Sequence, residues 1–256
     1  MSDQQPLLVE IRDNIQIMTL NRPEARNAVT LEMAEAMVSA LDAFDANPSL
    51  SVGIIVGAGG TFCAGMDLKG FLQGKRPTIP GRGFCGITIQ PPRKPIIAAV
   101  EGYALAGGLE VVLACDLIVA SREARFGLPE VKRGLAAAGG GLLRLPHRLP
   151  YHVAMECILT GDMLGAERAQ SHGLVNRLTE PGGALDAAIE LARAVAANGP
   201  LSLVASKRVV NESVDWGREE LFERQAAITN PVFASQDARE GAAAFAEKRK
   251  PVWKAL

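Results

Sequence analysis

The sequence predicts an α/β protein, and three features carry that reading. Short apolar strands, VGIIVG, KPIIAAV and DLIVA, alternate with helical periodicity through most of the chain. Strand, small-residue turn and helix follow one another twice in the same order, at TFCAGMDLK (Thr61 to Lys69) and at GYALAGGLE (Gly102 to Glu110). After about residue 198 the pattern is helical alone, which predicts an appended helical region that needs a surface to pack on.

Taken in order, LLVEIRD and IQIMTL read as two strands with Asp13-Asn14 as the turn between them. NRPEARNAV is a loop, because Pro23 and the asparagines do not continue a strand. Thr30 predicts an N-cap for a helix through about Phe44, with Leu31, Ala34, Leu41 and Phe44 on its apolar face. VGIIVG is a short buried strand. Residues 74–93 hold four prolines and several glycines and predict a mobile or irregular segment. KPIIAAV and DLIVA are further strands. From about Gly139 the pattern is mainly helical, with a short strand expected at GLVNRL.

Composition narrows the function classes. The chain has 256 residues, 48% hydrophobic and 21% charged, with 27 basic side chains against 28 acidic ones. A net charge of −1 argues against bulk nucleic-acid or membrane-surface binding, so any anion site must be local. Cys63, Cys85, Cys115 and Cys157 lie far apart, with neither zinc spacing nor a disulfide framework, and read as buried thiols of a reducing compartment. MSDQQPLLVE lacks the basic and apolar blocks of a signal peptide. The longest apolar stretch, from Ile96, is interrupted by Glu101, Glu110 and Asp116 before it reaches the roughly 18 residues of a spanning helix. A cytoplasmic protein is the expectation.

The motifs point to chemistry. VGAGGTF follows a strand but has Phe62 where a dinucleotide fingerprint needs its third glycine. In TFCAGMDLK a small-residue turn precedes an acidic residue and an apolar stretch, a way to start a helix with free backbone N–H groups; an ordinary strand-to-helix turn reads the same way. GYALAGGLE repeats the design. Gly107 and Gly108 let backbone approach a ligand closely, so two such turns could present two N–H groups to one oxygen, as an oxyanion hole requires. A side chain at Gly107 is expected to take the oxygen's place. Glu110 falls in the first helical turn, where a carboxylate also simply complements the helix dipole. Glu130, after Pro129 in RFGLPEVKRG, falls in a loop or short turn, where a solvated glutamate is common. Together the two suit acid–base work, since one carboxyl holds a proton while the other accepts one. His147, His152 and His172 have no constellation and read as structural or surface residues; Trp253 reads as packing.

NRPEARNAV, TFCAGMDLK, GYALAGGLEVVLACDLIVAS, FGLPEVKRGL, ILTGDMLGAERAQSHGLVNRL and AFAEKRKPVW together resemble the crotonase superfamily, in order, over nearly the whole chain. RLPHRLPYHVAMECILTG and the ending AFAEKRKPVWKAL are most similar to enoyl-CoA hydratases of the carnitinyl-CoA dehydratase kind. The resemblance implies a spiral of ββα units over residues 1–198 holding an acyl-CoA site. It implies a helical region, residues 199–256, for trimerisation and for covering the CoA. It assigns the oxyanion N–H groups to Met66 and Gly107 and the catalytic carboxylates to Glu110 and Glu130. Reversible hydration of a 2-trans-enoyl-CoA is implied, with carnitinyl-CoA dehydration or double-bond isomerisation as alternatives. CoA contacts are expected from backbone near Arg26, Ala28 and Ala64, from Asp67, Leu68 and Phe245, and from Lys69 and Lys248 at phosphates. No cofactor or metal is implied beyond the CoA of the substrate, and the assembly expected is a homotrimer or a hexamer. Two departures from the family pattern stand out. The run GLAAAGGG, Gly134 to Gly141, replaces a frequent Pro-containing stretch, with Ala138 expected still to donate an N–H. Ala106 replaces a frequent glycine, which reads as a mild change.

Overall fold

The computed structural model describes residues 5–256; residues 1–4, part of the stretch read for a signal segment, lie outside it. The chain opens on the antiparallel hairpin β1 (Leu7–Arg12) and β2 (Ile15–Leu20), with Asp13 at φ +56° in the turn. Helix α1 (Leu31–Ala46) starts where Thr30 Oγ1 accepts the Met33 N–H at 3.2 Å, and Met33 and Met37 join Ala34, Leu41 and Phe44 on its buried face. Strand β3 (Val52–Gly57) follows, then the short α2 (Leu68–Leu72). Residues 74–93 are largely irregular but contain the two-residue strands β4 (Thr78–Ile79) and β5 (Gly83–Phe84), and Phe84, Cys85 and Ile87 are buried there.

Next come β6 (Ile96–Val100), β7 (Tyr103–Leu105), α3 (Gly107–Ala114), β8 (Leu117–Ser121) and β9 (Arg125–Gly127). A 3-10 turn, Pro129–Arg133, leads to α4 (Gly141–Arg148) and α5 (Tyr151–Thr160). Strand β10 (Leu164–Gly165), α6 (Ala166–Ser171), β11 (Arg177–Thr179) and α7 (Ala184–Ala196) complete the core. Helices α8 (Pro200–Glu212), α9 (Leu221–Phe233) and α10 (Gln236–Ala246) finish the chain, with no strand after residue 198.

The main sheet runs β1-β2-β3-β6-β8-β11, parallel from β2 onward. A second sheet, β10-β9-β7, is extended by single bridges from Ala104 to Cys63 and from Met66 to Val29. The turns that begin with β2, β3, β6 and β8 thus each place one strand in the main sheet and one short extended piece in the second before a helix or 3-10 turn. This is the ββα spiral of a crotonase fold. The main strands are apolar on both sides, as covered parallel strands must be. Alternate residues sort to two cores. Ile54, Ile97, Ala99 and Val119 face Ala184, Ala188, Ile189 and Ala192 of α7, while Ile55, Ala98, Val100, Ile118 and Ala120 face the layer holding α1 and α3. Gly57, once a candidate for a nucleotide turn, has a packing role: a side chain there would run into the backbone of Thr61 and Phe62. The appended helices are tied to the core by Lys207 of α8, whose Nζ donates to Asp116 at 2.6 Å and to the Lys94 carbonyl at 2.9 Å.

Candidate active site

The second sheet brings the two small-residue turns side by side. Cys63 pairs with β7 through Cys63 N–H to the Tyr103 carbonyl and Leu105 N–H to the Cys63 carbonyl, at 2.8 and 2.9 Å. One strand-to-helix turn therefore lies against the other. A Cβ on Gly65 would stand 3.0 Å from Ala106 Cβ and 3.5 Å from the Gly107 nitrogen, and Gly65 takes φ +105°, a region that favours glycine. The Cys63 sulfur accepts the Gly65 N–H at 3.3 Å, so that donor is used inside the turn. The Met66 and Gly107 N–H groups donate to no protein acceptor among the described residues. Gly107 opens α3, whose first N–H groups have no intrahelical partner.

The glycine pair has a reason that differs from the expected one. A side chain on Gly107 would collide with the Phe84 ring, and one on Gly108 with the Cys63 carbonyl. Neither glycine needs a positive φ; Ala106 carries it, at φ +51° and ψ −126°. Replacement of a glycine at 106 is therefore not mild, because an alanine sits in a conformation that a Cβ resists.

Glu110 lies in the first turn of α3 and is only 3% exposed. Its Oε1 accepts N–H groups from Gly139 and Gly141 at 2.7 and 2.9 Å. Both donors are glycines of the run GLAAAGGG. A side chain at Gly139 would strike the carboxylate itself. Burial pushes Glu110 above the ordinary carboxyl value, against the opposing pull of the Gly141 and Gly139 N–H groups and of the Arg144 charge. Glu130 sits in the 3-10 turn after β9. Burial pushes it up as well; its own backbone N–H opposes, and the Glu110 charge adds to the rise. Its Oε2 and Thr179 Oγ1 are the two buried side-chain polar atoms without a hydrogen-bond partner among the described residues. A buried carboxylate oxygen with no protein partner is costly unless something else binds it.

The expected CoA contacts divide. Arg26 and Ala64 are joined, the Ala64 N–H donating to the Arg26 carbonyl at 3.0 Å. Arg22 braces the same region, its Nη1 donating to the Ala28 carbonyl at 2.6 Å and pairing with Asp67 at 3.0 Å. Asn27, fully buried at φ +55°, donates to the Ala58 and Thr61 carbonyls. Asp67 is occupied as the N-cap of α2, accepting from Lys69 and Gly70 N–H. Burial disfavours its charge, yet the Gly70 and Lys69 N–H groups and Arg22 hold it below the usual range. Leu68 and Lys69 are exposed, and Lys69 lines a cleft of about 190 Å³ with Asp67, Thr30 and Lys75. Phe245 and Lys248, at the end of α10, are exposed, and no hydrogen bond or ion pair among the described residues joins them to Arg26, Ala28 or Lys69. A larger groove, of about 350 Å³, runs between Leu50, Lys94, Leu201 and Val232, and neither glutamate lines it.

Residues the sequence did not single out are Gly139, Gly141, Phe84, Arg144 and the Arg22–Asn27 brace. The triple glycine was the one visible signal; the others act through contacts that exist only once the chain folds back.

Comparison with known proteins identifies the family. The family model described as enoyl-CoA hydratase/isomerase matches residues 10–255. An enoyl-CoA hydratase of Mycobacterium tuberculosis is 43% identical over 95% of this chain and 94% of its own length. A carnitinyl-CoA dehydratase of Salmonella arizonae is 42% identical over 93% of this chain and 94% of its own. The crystal structure of an enoyl-CoA hydratase from Mycobacterium tuberculosis H37Rv superposes with a TM-score of 0.97 at 57% identity, covering 99% of this chain and 100% of that one. With paired turns, paired glutamates and ββα spiral on one side and a near full-length match on the other, the chain belongs to the enoyl-CoA hydratase/isomerase family of the crotonase superfamily.

Proposed function

We propose that the protein is a hydratase that reversibly adds water to a 2-trans-enoyl-CoA. The observation that carries this reading is Glu130 Oε2, buried and without a partner, coupled to a Glu110 that two backbone N–H groups hold. The two glutamates titrate as one coupled unit. Glu110 is the better-stabilised anion, so a single proton on the pair rests mainly on Glu130. Glu110 takes a proton from water as the water oxygen bonds to C3. The C2=C3 electrons move toward the thioester oxygen, and Glu130 delivers its proton to C2. The pair carries one proton before and after. The charge that develops on the thioester oxygen meets the Met66 and Gly107 N–H groups, and one such donor is worth about 3–4 kcal/mol of barrier.

Isomerisation needs only one proton shuttle, and the presence of both carboxylates favours hydration. Dehydration of carnitinyl-CoA uses the same groups in reverse, and the Salmonella relative is named for it. Arg26, Ala28, Ala64, Leu68, Lys69, Phe245 and Lys248 are proposed CoA contacts, with Asp67 shaping the turn that presents them. Residues 199–256 are proposed to trimerise the protein, as a trimer or a hexamer, and to cover the CoA. A reducing cytoplasmic setting is supported by Cys63, Cys85, Cys115 and Cys157, all free thiols. No helix among the described residues is long and apolar enough to cross a membrane.

Loss of the conjugated enoyl absorbance on incubation with crotonyl-CoA tests the activity. Glu110→Gln and Glu130→Gln are each expected to lower turnover by at least about a hundredfold with little change in CoA-ester binding. Near wild-type turnover in either variant would end the two-glutamate reading. Crotonobetainyl-CoA in the same panel separates the two hydration substrates.

A further inference from the structure

We propose that Arg144 is a positioning residue that fixes Glu110, rather than Glu130, as the carboxylate that receives the proton from water. The inference rests on the two-glutamate reading and adds a third group to it.

Arg144 lies on α4, three residues beyond the glycines that hold Glu110. Gly139 and Gly141 both donate to Glu110 Oε1, so Gly140 lies between two residues in contact with the carboxylate. A side chain on Gly140 would run into Arg144 Nη1. The guanidinium therefore lies against the loop that clasps Glu110. Its Nη2 donates to the Thr88 carbonyl at 2.7 Å, and Thr88 Oγ1 accepts the Phe84 N–H at 2.9 Å. Phe84 is the ring that Gly107 must clear. One side chain thus ties α4, the Phe84 segment and the clasp around Glu110.

Arg144 is half-buried, and no carboxylate stands within ion-pair distance of it among the described residues. The groups that face Glu110 are the Gly139 and Gly141 N–H groups, Glu130 from the turn after β9, and Arg144 from α4. Arg148, further along α4, faces Arg144, and Arg133 faces Glu130. The attraction between Arg144 and Glu110 acts on both, favouring the ionised form of each. It leaves the proton of the pair on Glu130, where protonation of C2 needs it.

Arg144→Gln keeps a donor for the Thr88 carbonyl and removes the charge; Arg144→Lys keeps the charge and removes the planar fork. Without the cation Glu110 ionises less readily, so the acidic limb of the kcat–pH profile is expected to move upward by about one pH unit in Arg144→Gln. Arg144→Lys is expected to return it toward the wild-type position. A tether alone would lower kcat equally at every pH and leave the limb in place in both variants, and that result would overturn the inference. If Arg144→Gln turns over too slowly for a profile, a cycle of melting temperatures at pH 8 decides. The cost of Arg144→Gln should shrink in the Glu110→Gln background; equal costs would overturn the inference. Glu110→Gln and Glu130→Gln, measured beside these, separate the two readings. Dead glutamate variants with an unmoved limb remove Arg144 alone, whereas active glutamate variants remove the hydratase mechanism and this inference with it.

Discussion

Ala106 holds φ +51° and ψ −126°, with Gly65 and Gly107 packed close on either side. Such a conformation costs an L-residue about 1–3 kcal/mol, and a glycine would return part of that as unfolded-state entropy. Ala106→Gly is therefore expected to stabilise the protein by about 1 kcal/mol, which raises the melting temperature by about 2–4 °C in a chain of this size. Turnover should persist, because the Gly107 N–H is backbone. A lower melting temperature would show that the Ala106 methyl packs better than its backbone strains. Glu130 poses the matching problem in charge. Its folded-state carboxyl lies above the ordinary glutamate value of 4.5, mainly because burial disfavours the anion. The folded protein then binds more protons than the unfolded chain between that value and its raised one, so stability falls as pH rises through this window. Glu130→Gln removes the ionisation. Its melting temperature at pH 7 is expected to exceed that of wild type, the difference shrinking as pH falls toward 4.5. An advantage that stayed the same at low pH would mean that packing, not charge, accounts for it. The residue that disables catalysis would thus also relieve the fold, the usual sign of a site held against its own stability.

At the scale of the element, α3 shows why the glycine pair stands where it does. The helix is buried along its whole length, so its N-terminus must pass through a gap between Phe84 and the Cys63 backbone. Gly107→Val is expected to lose more than a hundredfold in turnover, about what one oxyanion donor contributes, while Met66→Ala keeps its N–H and most activity. The cause can be isolated. If the Phe84 ring is the obstacle, Phe84→Ala should restore part of the turnover of Gly107→Ala. No restoration would mean that the added methyl competes with the thioester oxygen itself. This helix also marks how far the sequence can be read. VGIIVG, KPIIAAV, DLIVA and α1 were legible because each repeats its apolar period often enough to be recognised, and both turns were legible because small residues must precede a buried helix start. Strands β7, β9 and β10 have only two or three residues each, too few for any period, and they are the pieces that align the turns. Residues 74–93 read as irregular from their prolines, yet Phe84 and Cys85 are buried, because tertiary contacts hold a segment without local preference. Glu110 and Glu130 were legible as a pair; the Gly139–Gly141 clasp and Arg144 were not, since they meet Glu110 only after the chain has returned through β8 and β9.

For the whole molecule the unresolved demand is apolar surface. On the appended helices Val210 is 69% exposed, Phe222 82% and Phe233 79%, and on α4 and α5 Leu143 is 75% and Leu159 66% exposed. Single exposed apolar residues are ordinary, but several large ones on neighbouring helices mark an interaction surface. Helix α8, which carries Val210, is fixed to the core by Lys207 to Asp116, and the segment after α10 by Trp253 Nε1 to the Ala197 carbonyl at 2.9 Å. A second copy of the chain is the expected cover, since soluble chains mostly assemble with closed symmetry, and a trimer is what the crotonase resemblance implies. Light scattering at micromolar concentration is expected to give a mass of three or six chains. Phe222→Glu combined with Phe233→Glu would place two charges in the contact, where fully burying each phenylalanine is worth about 1.5–3 kcal/mol. That variant is expected to shift the mass downward and lower the melting temperature. A monomeric wild type would sink the assembly outright. A trimer untouched by the double variant would move the interface to the face carrying Leu143 and Leu159 and leave α9 free to serve the CoA site instead.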